Sequence, residues 1–92
     1  MTRTQRLVRA AEIVFIIPIE VGGVPHPRNY AMMSPPAASA LATLSPVEQL
    51  HQMKAMLGHE FEEARRFCEA VHDAEKGGLD LDAAIRFAAT TM

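Results

Sequence analysis

The sequence has little of what small proteins commonly use for stability or for reactivity. Cys68 is the only cysteine among 92 residues, so no disulfide can form within one chain, as is typical of a protein from a reducing compartment. Tryptophan is absent, and there are only four Phe and one Tyr. Because a domain of this length has little net stability, its core must be assembled from Ala, Leu, Ile, Val and Met.

An excess of positive charge is also missing. Nine Lys and Arg stand against eleven Asp and Glu, which gives a net charge of −2. Duplex binding draws much of its affinity from neutralised phosphates and needs a basic face, so we expect no nucleic-acid partner. The charges are unevenly placed: residues 1–46 carry four Arg and two Glu, whereas residues 47–92 carry five basic and nine acidic side chains. The two halves could therefore attract each other, or a second copy.

No hydrophobic run is long enough to span a membrane. The apolar run at positions 13–17 is bounded by Glu12, Pro18 and Glu20, and it falls far short of the ~20 residues that a spanning helix needs. No small-residue cleavage site follows it closely, which argues against a signal peptide. The sequence therefore predicts a cytoplasmic protein that has no membrane partner.

Residues 7–21 contain signals for both a strand and a helix. The β-branched cluster favours a buried strand, while Gln5, Arg6 and the Ala10-Ala11 pair suit a helix that ends before Pro18. In either geometry the apolar side chains point to both sides, so the segment must be covered on both faces. We predict a strand here.

All six prolines lie between positions 18 and 46, together with the Gly22-Gly23 pair. Most of this region cannot form regular helix or a central strand, and we predict an extended arm. Residues 37–44, after Pro35-Pro36, can form a short helix because Pro is tolerated in a first turn. Residues 1–45 are thus predicted to be an N-terminal strand or extended arm with a linker.

From position 45 onward the sequence predicts a helical hairpin. Ser45 and Glu48 form a capping box around Pro46, and an amphipathic pattern continues from about residue 46 to 76, where Gly77-Gly78 ends it. Gly58 lies inside the pattern, either as a sequence accident or as the site of a kink or of the close approach of another backbone. A second helix over about 81–91 folds back on the first, so residues 46–92 complete a small, mainly α domain.

The longer helix leaves a surplus apolar stripe near Leu50, Met53, Met56 and Leu57, because the shorter one covers only one face. The N-terminal segment of the same chain, a second copy or a different protein must cover this stripe. Exposed stripes of this kind usually mark contacts. We therefore expect a non-enzymatic protein-binding subunit, such as an adaptor, assembly factor or small inhibitor, that binds another protein or a second copy through the hairpin and the arm. The predicted partner-binding residues are Leu50, Met53, Met56, Leu57, Phe61, His26 and Tyr30.

Two Glu-x-x-His segments, Glu48 to His51 and Glu69 to His72, suggest an alternative function, the binding of a metal ion. This spacing is how di-iron bundles supply ligands, and a site for iron or manganese would form here between copies of the chain. The bland interpretation is that these side chains are solvated, since both pairs lie on or beside the polar face. The candidate ligands are Glu48, His51, Glu62, Glu69 and His72, with Glu63 as a further possibility.

The sequence indicates no catalytic residue. Cys68 lies mid-helix on the apolar face without an activating helix N-terminus, so we interpret it as a small core residue. The segment from His59 to Glu63 resembles a zinc-protease helix only superficially, since Glu63 occupies the position of the second histidine. An enzyme is therefore the less favoured class, and no cofactor is required.

Overall fold

The computed structural model describes residues 11–91. In chain order the elements are strands β1 (Glu12–Phe15) and β2 (Tyr30–Met33), then helices α1 (Pro35–Ala42), α2 (Pro46–Leu57), α3 (His59–Lys76) and α4 (Leu81–Thr91). Two short 3-10 turns, Ile19–Val21 and Pro27–Asn29, lie between the strands. The predicted mainly α fold with an N-terminal strand is confirmed.

The two strands form an antiparallel ribbon. Its register pairs Glu12 with Met33 at one end and Phe15 with Tyr30 at the other. The prediction of a strand over residues 7–21 is therefore correct for residues 12–15. Residues 7–10 lie outside the described residues, and residues 16–21 leave the strand and include the first 3-10 turn. The β-branched residues here favour the pleated backbone because their branched side chains pack well against neighbours on a sheet.

The proline-rich segment packs against the rest of the chain instead of extending from it as an arm. Val24 and Asn29 are almost fully buried in its first part, and Leu41 of α1 is buried in its second. The prolines are compatible with this path because they stand at turns and helix starts, where no amide hydrogen is needed. At the start of α1, for example, Ser34 Oγ accepts a hydrogen bond from the Ala37 amide at 3.4 Å, which confirms a short helix after the proline pair.

The long helix expected over residues 46–76 is two helices in the structure. Its predicted start is correct: Ser45 Oγ accepts from the Glu48 amide, and Glu48 Oε1 accepts from the Ser45 amide, both at 3.2 Å. The break falls at Gly58, whose φ of 54° and ψ of −105° are tolerated by glycine because it has no Cβ. Gly58 therefore redirects the chain between α2 and α3.

Helices α3 and α4 form the predicted hairpin. The chain turns through Gly78, whose φ is 109°, and Asp80 Oδ1 accepts from the Ala83 amide at 2.8 Å to cap α4. Ala84 and Ala88 are fully buried. Small side chains at these positions let α4 pack closely against its neighbour.

One continuous core joins both halves of the chain. Met53 and Phe61 lie inside it, at 0% and 4% exposure. The core residues are Ile16, Ile17, Val24, Met33, Ala38, Leu41, Met53, Phe61, Ala64, Phe67, Cys68, Val71, Ala84 and Ala88. At Met53 the predicted surplus stripe is therefore covered within the chain, because residues from the N-terminal third share the core with it.

Candidate functional site

The most exposed large apolar side chains of the described residues lie on the ribbon. Ile13 and Met32 are directly opposite each other, at 64% and 65% exposure. Next to them, the rings of Phe15 and Tyr30 pack with centroids 5.6 Å apart and planes tilted by 60°. Because side chains alternate along a strand, these four residues share one face of the ribbon.

The opposite face of the ribbon is covered. Val14, Ala31 and Met33 pack with the core. Among residues 11–91 no third strand joins the sheet, so both edges present backbone groups that an extended segment could pair with. A two-stranded ribbon is marginal by itself, and the expectation that residues 13–17 are covered on both sides is met on one side of the ribbon only.

The exposed apolar area continues from the ribbon onto the first 3-10 turn. A cleft of about 280 Å³ lies between β1, this turn, α1 and α2, with Phe15, Ile19 and Leu41 among its lining residues. Ile19 is 44% exposed. We call the group formed by Ile13, Phe15, Ile19, Tyr30 and Met32 the ribbon surface.

Asn29 fixes the loop that carries Ile19. Its side chain is fully buried, and its Oδ1 accepts from the Ile17 amide at 2.9 Å. Its Nδ2 donates to the carbonyl oxygens of Ile17 and Val24, at 3.0 and 3.1 Å. A buried amide with its partners in place specifies one conformation, because any other would leave polar groups unsatisfied.

The same loop contains a glycine that no other residue can replace without rearrangement. A Cβ on Gly23 would lie 1.8 Å from the Ile17 carbonyl oxygen. The amides of Val21 and Gly23 both donate to the Pro18 carbonyl, at 3.0 and 2.9 Å. The turn is therefore compact, and its shape depends on the close approach of two backbone segments.

His72 connects this turn to helix α3. Its Nε2 lies 2.8 Å from the Gly22 carbonyl oxygen, and its Nδ1 lies 3.0 Å from Glu75 Oε1. The hydrogen bond with Gly22, followed by that with Glu75, raises the pKa of His72, while desolvation and Lys76 oppose the shift. This residue was predicted as a metal ligand, but both of its ring nitrogens are engaged within the protein.

His26 lies against the core. Its ring packs on Phe67 with centroids 4.8 Å apart, and the guanidinium carbon of Arg28 lies 5.4 Å from the same ring centroid. The Nδ1 atom of His26 accepts from the Arg28 amide at 3.1 Å. His26, predicted as a partner contact, thus anchors the second 3-10 turn to α3, while the other predicted contact in this region, Tyr30, belongs to the ribbon surface.

The predicted contacts on the helices are divided between core and surface. Met53 and Phe61 are buried, Leu50 and Leu57 are half-buried, and Met56 is 51% exposed. Burial removes the first two as major partner contacts in this conformation. The helical stripe thus offers a partner far less apolar surface than its sequence pattern indicates.

A groove of about 680 Å³ lies where α2 and α3 diverge. Leu50 and Phe61 line it together with His51, Lys54, Ala55 and Arg65. Arg65 is already paired with Glu62 at 2.7 Å and with Glu69 at 2.6 Å. The charge of Arg65 is therefore balanced, and the large apolar side chains at the groove, half-buried Leu50 and buried Phe61, are less exposed than Ile13 and Met32 on the ribbon surface.

Four of the five candidate metal ligands are used individually for other contacts, and the fifth, His51, is exposed on α2. Glu48 completes the cap of α2, Glu62 and Glu69 bind Arg65, and His72 binds Gly22 and Glu75. Within residues 11–91, no three His, Cys, Asp or Glu side chains are grouped so that they could hold a metal ion. An iron or manganese site between copies stays a prediction without support from the arrangement in one copy.

Cys68 lies in the core, where the sequence places it. It is 3% exposed, and burial raises the pKa of its thiol. A protonated, inaccessible thiol is a poor nucleophile and a poor metal ligand. Cys68 therefore contributes to packing.

Comparison with known proteins gives no match to a family model, to a curated protein or to a solved structure. In the part of the chain that the structure describes, the helices are too short or too polar to cross a membrane. The function must therefore be argued from the surface itself.

Four residues of the ribbon surface are absent from the sequence-based prediction of partner contacts. Ile13, Phe15, Ile19 and Met32 were missed, although the apolar run at positions 13–17 contains the signal. In a strand, neighbouring apolar residues point to opposite faces, and residues 11–91 supply cover for only one of these faces. The prediction that residues 13–17 need cover on both faces is the signal from which the ribbon surface could be identified.

Proposed function

We propose that this chain is a non-enzymatic, cytoplasmic protein-binding module whose ribbon surface is covered by an extended segment of another protein or of a second copy. The observation that carries the proposal is the directly opposed pair Ile13 and Met32, with nearly two thirds of each side chain exposed. Adaptors, assembly factors and small inhibitors all act through contacts of this kind. We propose a cytoplasmic location because the chain has a single cysteine, and such cysteine use is typical of a reducing compartment.

Burial of the ribbon surface would supply binding free energy. Full burial of one large apolar side chain contributes about 1.5–3 kcal/mol, and Ile13, Phe15, Ile19 and Met32 are all partly or largely exposed. An added strand would also pair with the backbone groups at a ribbon edge, which is a common mode of peptide recognition. Side chains and backbone therefore favour the same type of partner.

The ribbon surface is a better docking site than the groove between α2 and α3. In the groove, Phe61 is 4% exposed and contributes little new area, while Glu62 and Glu69 already neutralise Arg65. The helical hairpin then acts mainly as the scaffold that holds the ribbon. This assigns the predicted protein-binding role to the N-terminal region.

Site-specific photo-crosslinking tests the proposal. A photoreactive residue at position 32 is expected to give one discrete crosslinked species, whereas the same residue at position 47 is expected to give none. Val47 is the matched control because it is an apolar residue that is 54% exposed on α2. Light scattering and mass spectrometry of the crosslinked species identify the occupant as a second copy or as another protein.

A charge substitution makes the test specific to the ribbon. Ile13→Glu is expected to abolish the crosslink from position 32, while Val47→Glu leaves it unchanged, because only the former places a carboxylate in the proposed contact. The proposal fails if positions 32 and 47 crosslink equally, or if Ile13→Glu has no effect.

A further inference from the structure

Both neighbours of the His72 ring are hydrogen-bond acceptors. The Gly22 carbonyl oxygen lies 2.8 Å from Nε2, and the Glu75 carboxylate lies 3.0 Å from Nδ1. Neither group has a proton to donate when Glu75 is ionised, and a neutral imidazole has only one N–H. The observed geometry is therefore fully satisfied only by the imidazolium form of His72.

Backbone hydrogen bonds within the turn connect Gly22 to Ile19 of the ribbon surface. The Gly22 amide donates to the Ile19 carbonyl at 3.2 Å, and the amides of Val21 and Gly23 donate to the Pro18 carbonyl. Gly22 has a φ of 102°, so the turn ends in a left-handed residue whose carbonyl is directed at His72. Through these bonds, a contact at Gly22 restrains the position of Ile19.

Loss of one proton would release the turn. The neutral ring keeps a single N–H, and a carboxylate is a stronger acceptor than a backbone carbonyl because its hydrogen bond is charge-assisted. The remaining proton therefore favours Nδ1 and Glu75, which leaves the Nε2 lone pair facing the Gly22 oxygen. Two acceptors at 2.8 Å repel each other, so the turn separates from α3.

We propose that protonated His72 latches the turn of residues 18–23 onto α3, so that the ribbon surface is ordered while His72 is protonated and loosens as rising pH removes this proton. The effect on binding rests on the proposed function, since a preordered surface binds its partner with less loss of entropy. The effect on the turn is independent of any partner.

The charges around His72 are compatible with loss of the latch as the pH rises. Of the described residues, Glu75 and Lys76 act electrostatically on the imidazole, with opposite signs. The facing turn contributes the Gly22 carbonyl, and its one charged residue, Glu20, is exposed. Because the pKa of His72 is raised in the folded protein, the stabilisation is complete below the unfolded value and is lost as the pH rises through the folded value.

Hydrogen exchange tests the latch on the whole chain. Protection factors of the Val21, Gly22 and Gly23 amides, taken relative to the buried helical amides of Ala84 and Ala88, are expected to fall about three- to tenfold from a pH below the titration of His72 to a pH above it. This is the ratio that loss of one net hydrogen bond produces. In parallel, nuclear magnetic resonance titration is expected to show His72 changing protonation together with the loss of protection.

Two glutamine variants provide the comparison. His72→Gln has an amide that can donate to Gly22 but cannot ionise, so its turn should show no pH dependence. His51→Gln is the control because His51 is exposed on α2, and its turn should behave as in the original chain. The latch is refuted if turn protection is independent of pH, or if His72→Gln retains the dependence.

Crosslinking from position 32 at the same two pH values separates the latch from the proposed function. A yield that falls with rising pH in the original chain, but not in His72→Gln, supports both. A pH-dependent turn without any crosslink at either pH supports the latch and overturns the docking role. A constant yield accompanied by a pH-dependent turn overturns the regulation of binding.

Discussion

The N-terminal and helical regions of this protein are stabilised in different ways. Residues 46–91 rely on helix caps and on periodic apolar packing, as at Ala84 and Ala88, where many small contributions add up. Residues 11–34 rely on single contacts that have no substitute, at Gly23, at Asn29 and between Gly22 and His72 of α3. The helical scaffold should therefore tolerate substitution broadly, whereas substitutions at a few positions of the turn region should be strongly destabilising.

The same difference explains where the ribbon surface lies. The helices bury their apolar stripes against one another and against Ile16, Ile17 and Val24. Once these residues are in the core, none of residues 11–34 remains to cover the outer face of the ribbon. The region with the least core of its own is thus the one that exposes Ile13 and Met32, and large exposed patches are where contacts form.

A glycine-to-alanine pair gives the largest expected contrast between the regions. Gly23→Ala places a Cβ 1.8 Å from the Ile17 carbonyl oxygen, so we expect a loss of at least about 3 kcal/mol in the free energy of unfolding. Gly77→Ala meets its nearest atom, the Ala74 carbonyl oxygen, at 3.4 Å with φ of −76°. It should change stability by no more than about 0.5 kcal/mol.

Urea denaturation followed by circular dichroism measures both variants. Equal stability of the two would show that the turn relaxes around an added methyl group, and the contrast between the regions would then be lost. Reduced helical content in native Gly23→Ala would show instead that the helices need the turn to fold.

Removal of a side-chain amide gives the next largest contrast. Asn29→Ala leaves the Ile17 amide and the Ile17 and Val24 carbonyls without their buried partner, and we expect a loss of about 2–3 kcal/mol. Gln49→Ala removes one half-buried bond, from Nε2 to the Leu44 carbonyl at 3.0 Å, and should cost about 1 kcal/mol or less. Thermal denaturation of the two variants measures both losses of stability. A larger loss in Gln49→Ala than in Asn29→Ala would contradict the proposed difference between the two regions.

The features that the sequence predicts correctly depend on residues close together in the chain. The Ser45 cap and the Gly77-Gly78 stop act within one helical turn, so local patterns identify them. The Gly58 break is harder to predict, because glycine inside a helix costs only about 1 kcal/mol and packing elsewhere decides whether the helix bends. A local pattern shows where a break is possible but not whether it occurs.

The features that the sequence does not predict depend on contacts across long separations. Asn29 binds Ile17 twelve positions away, and His72 reaches Gly22 across fifty. Neither contact leaves a periodic pattern in the sequence. The sequence analysis therefore predicts an extended arm for the proline-rich segment and a metal-ligand role for His72. The ribbon surface was missed for the same reason, since which face of β1 becomes buried depends on the position of the helices.

The helix cap at Ser45 provides the smallest expected effect. Ser45→Ala removes the hydroxyl that accepts from the Glu48 amide, and we expect a loss of about 1 kcal/mol. The control is Ser39→Ala, at an exposed position inside α1, which should be neutral or slightly stabilising because Ala is the better helix former. A loss in Ser39→Ala as large as that in Ser45→Ala would contradict a capping role.

The stabilisation that the Ser45 cap provides should also depend on pH. Hydrogen bonds from Ser45 lower the pKa of Glu48, so the stabilisation is present above the unfolded value and is lost as the pH falls through the folded value. In Ser45→Ala, carboxyl titration by nuclear magnetic resonance should move the pKa of Glu48 back toward its ordinary range. This acid-side loss is opposite in direction to the loss expected at His72, so the helical cap should weaken on acidification while the turn tightens. If both regions weaken together on acidification, their stabilities are not independent, and the division between scaffold and turn must be abandoned.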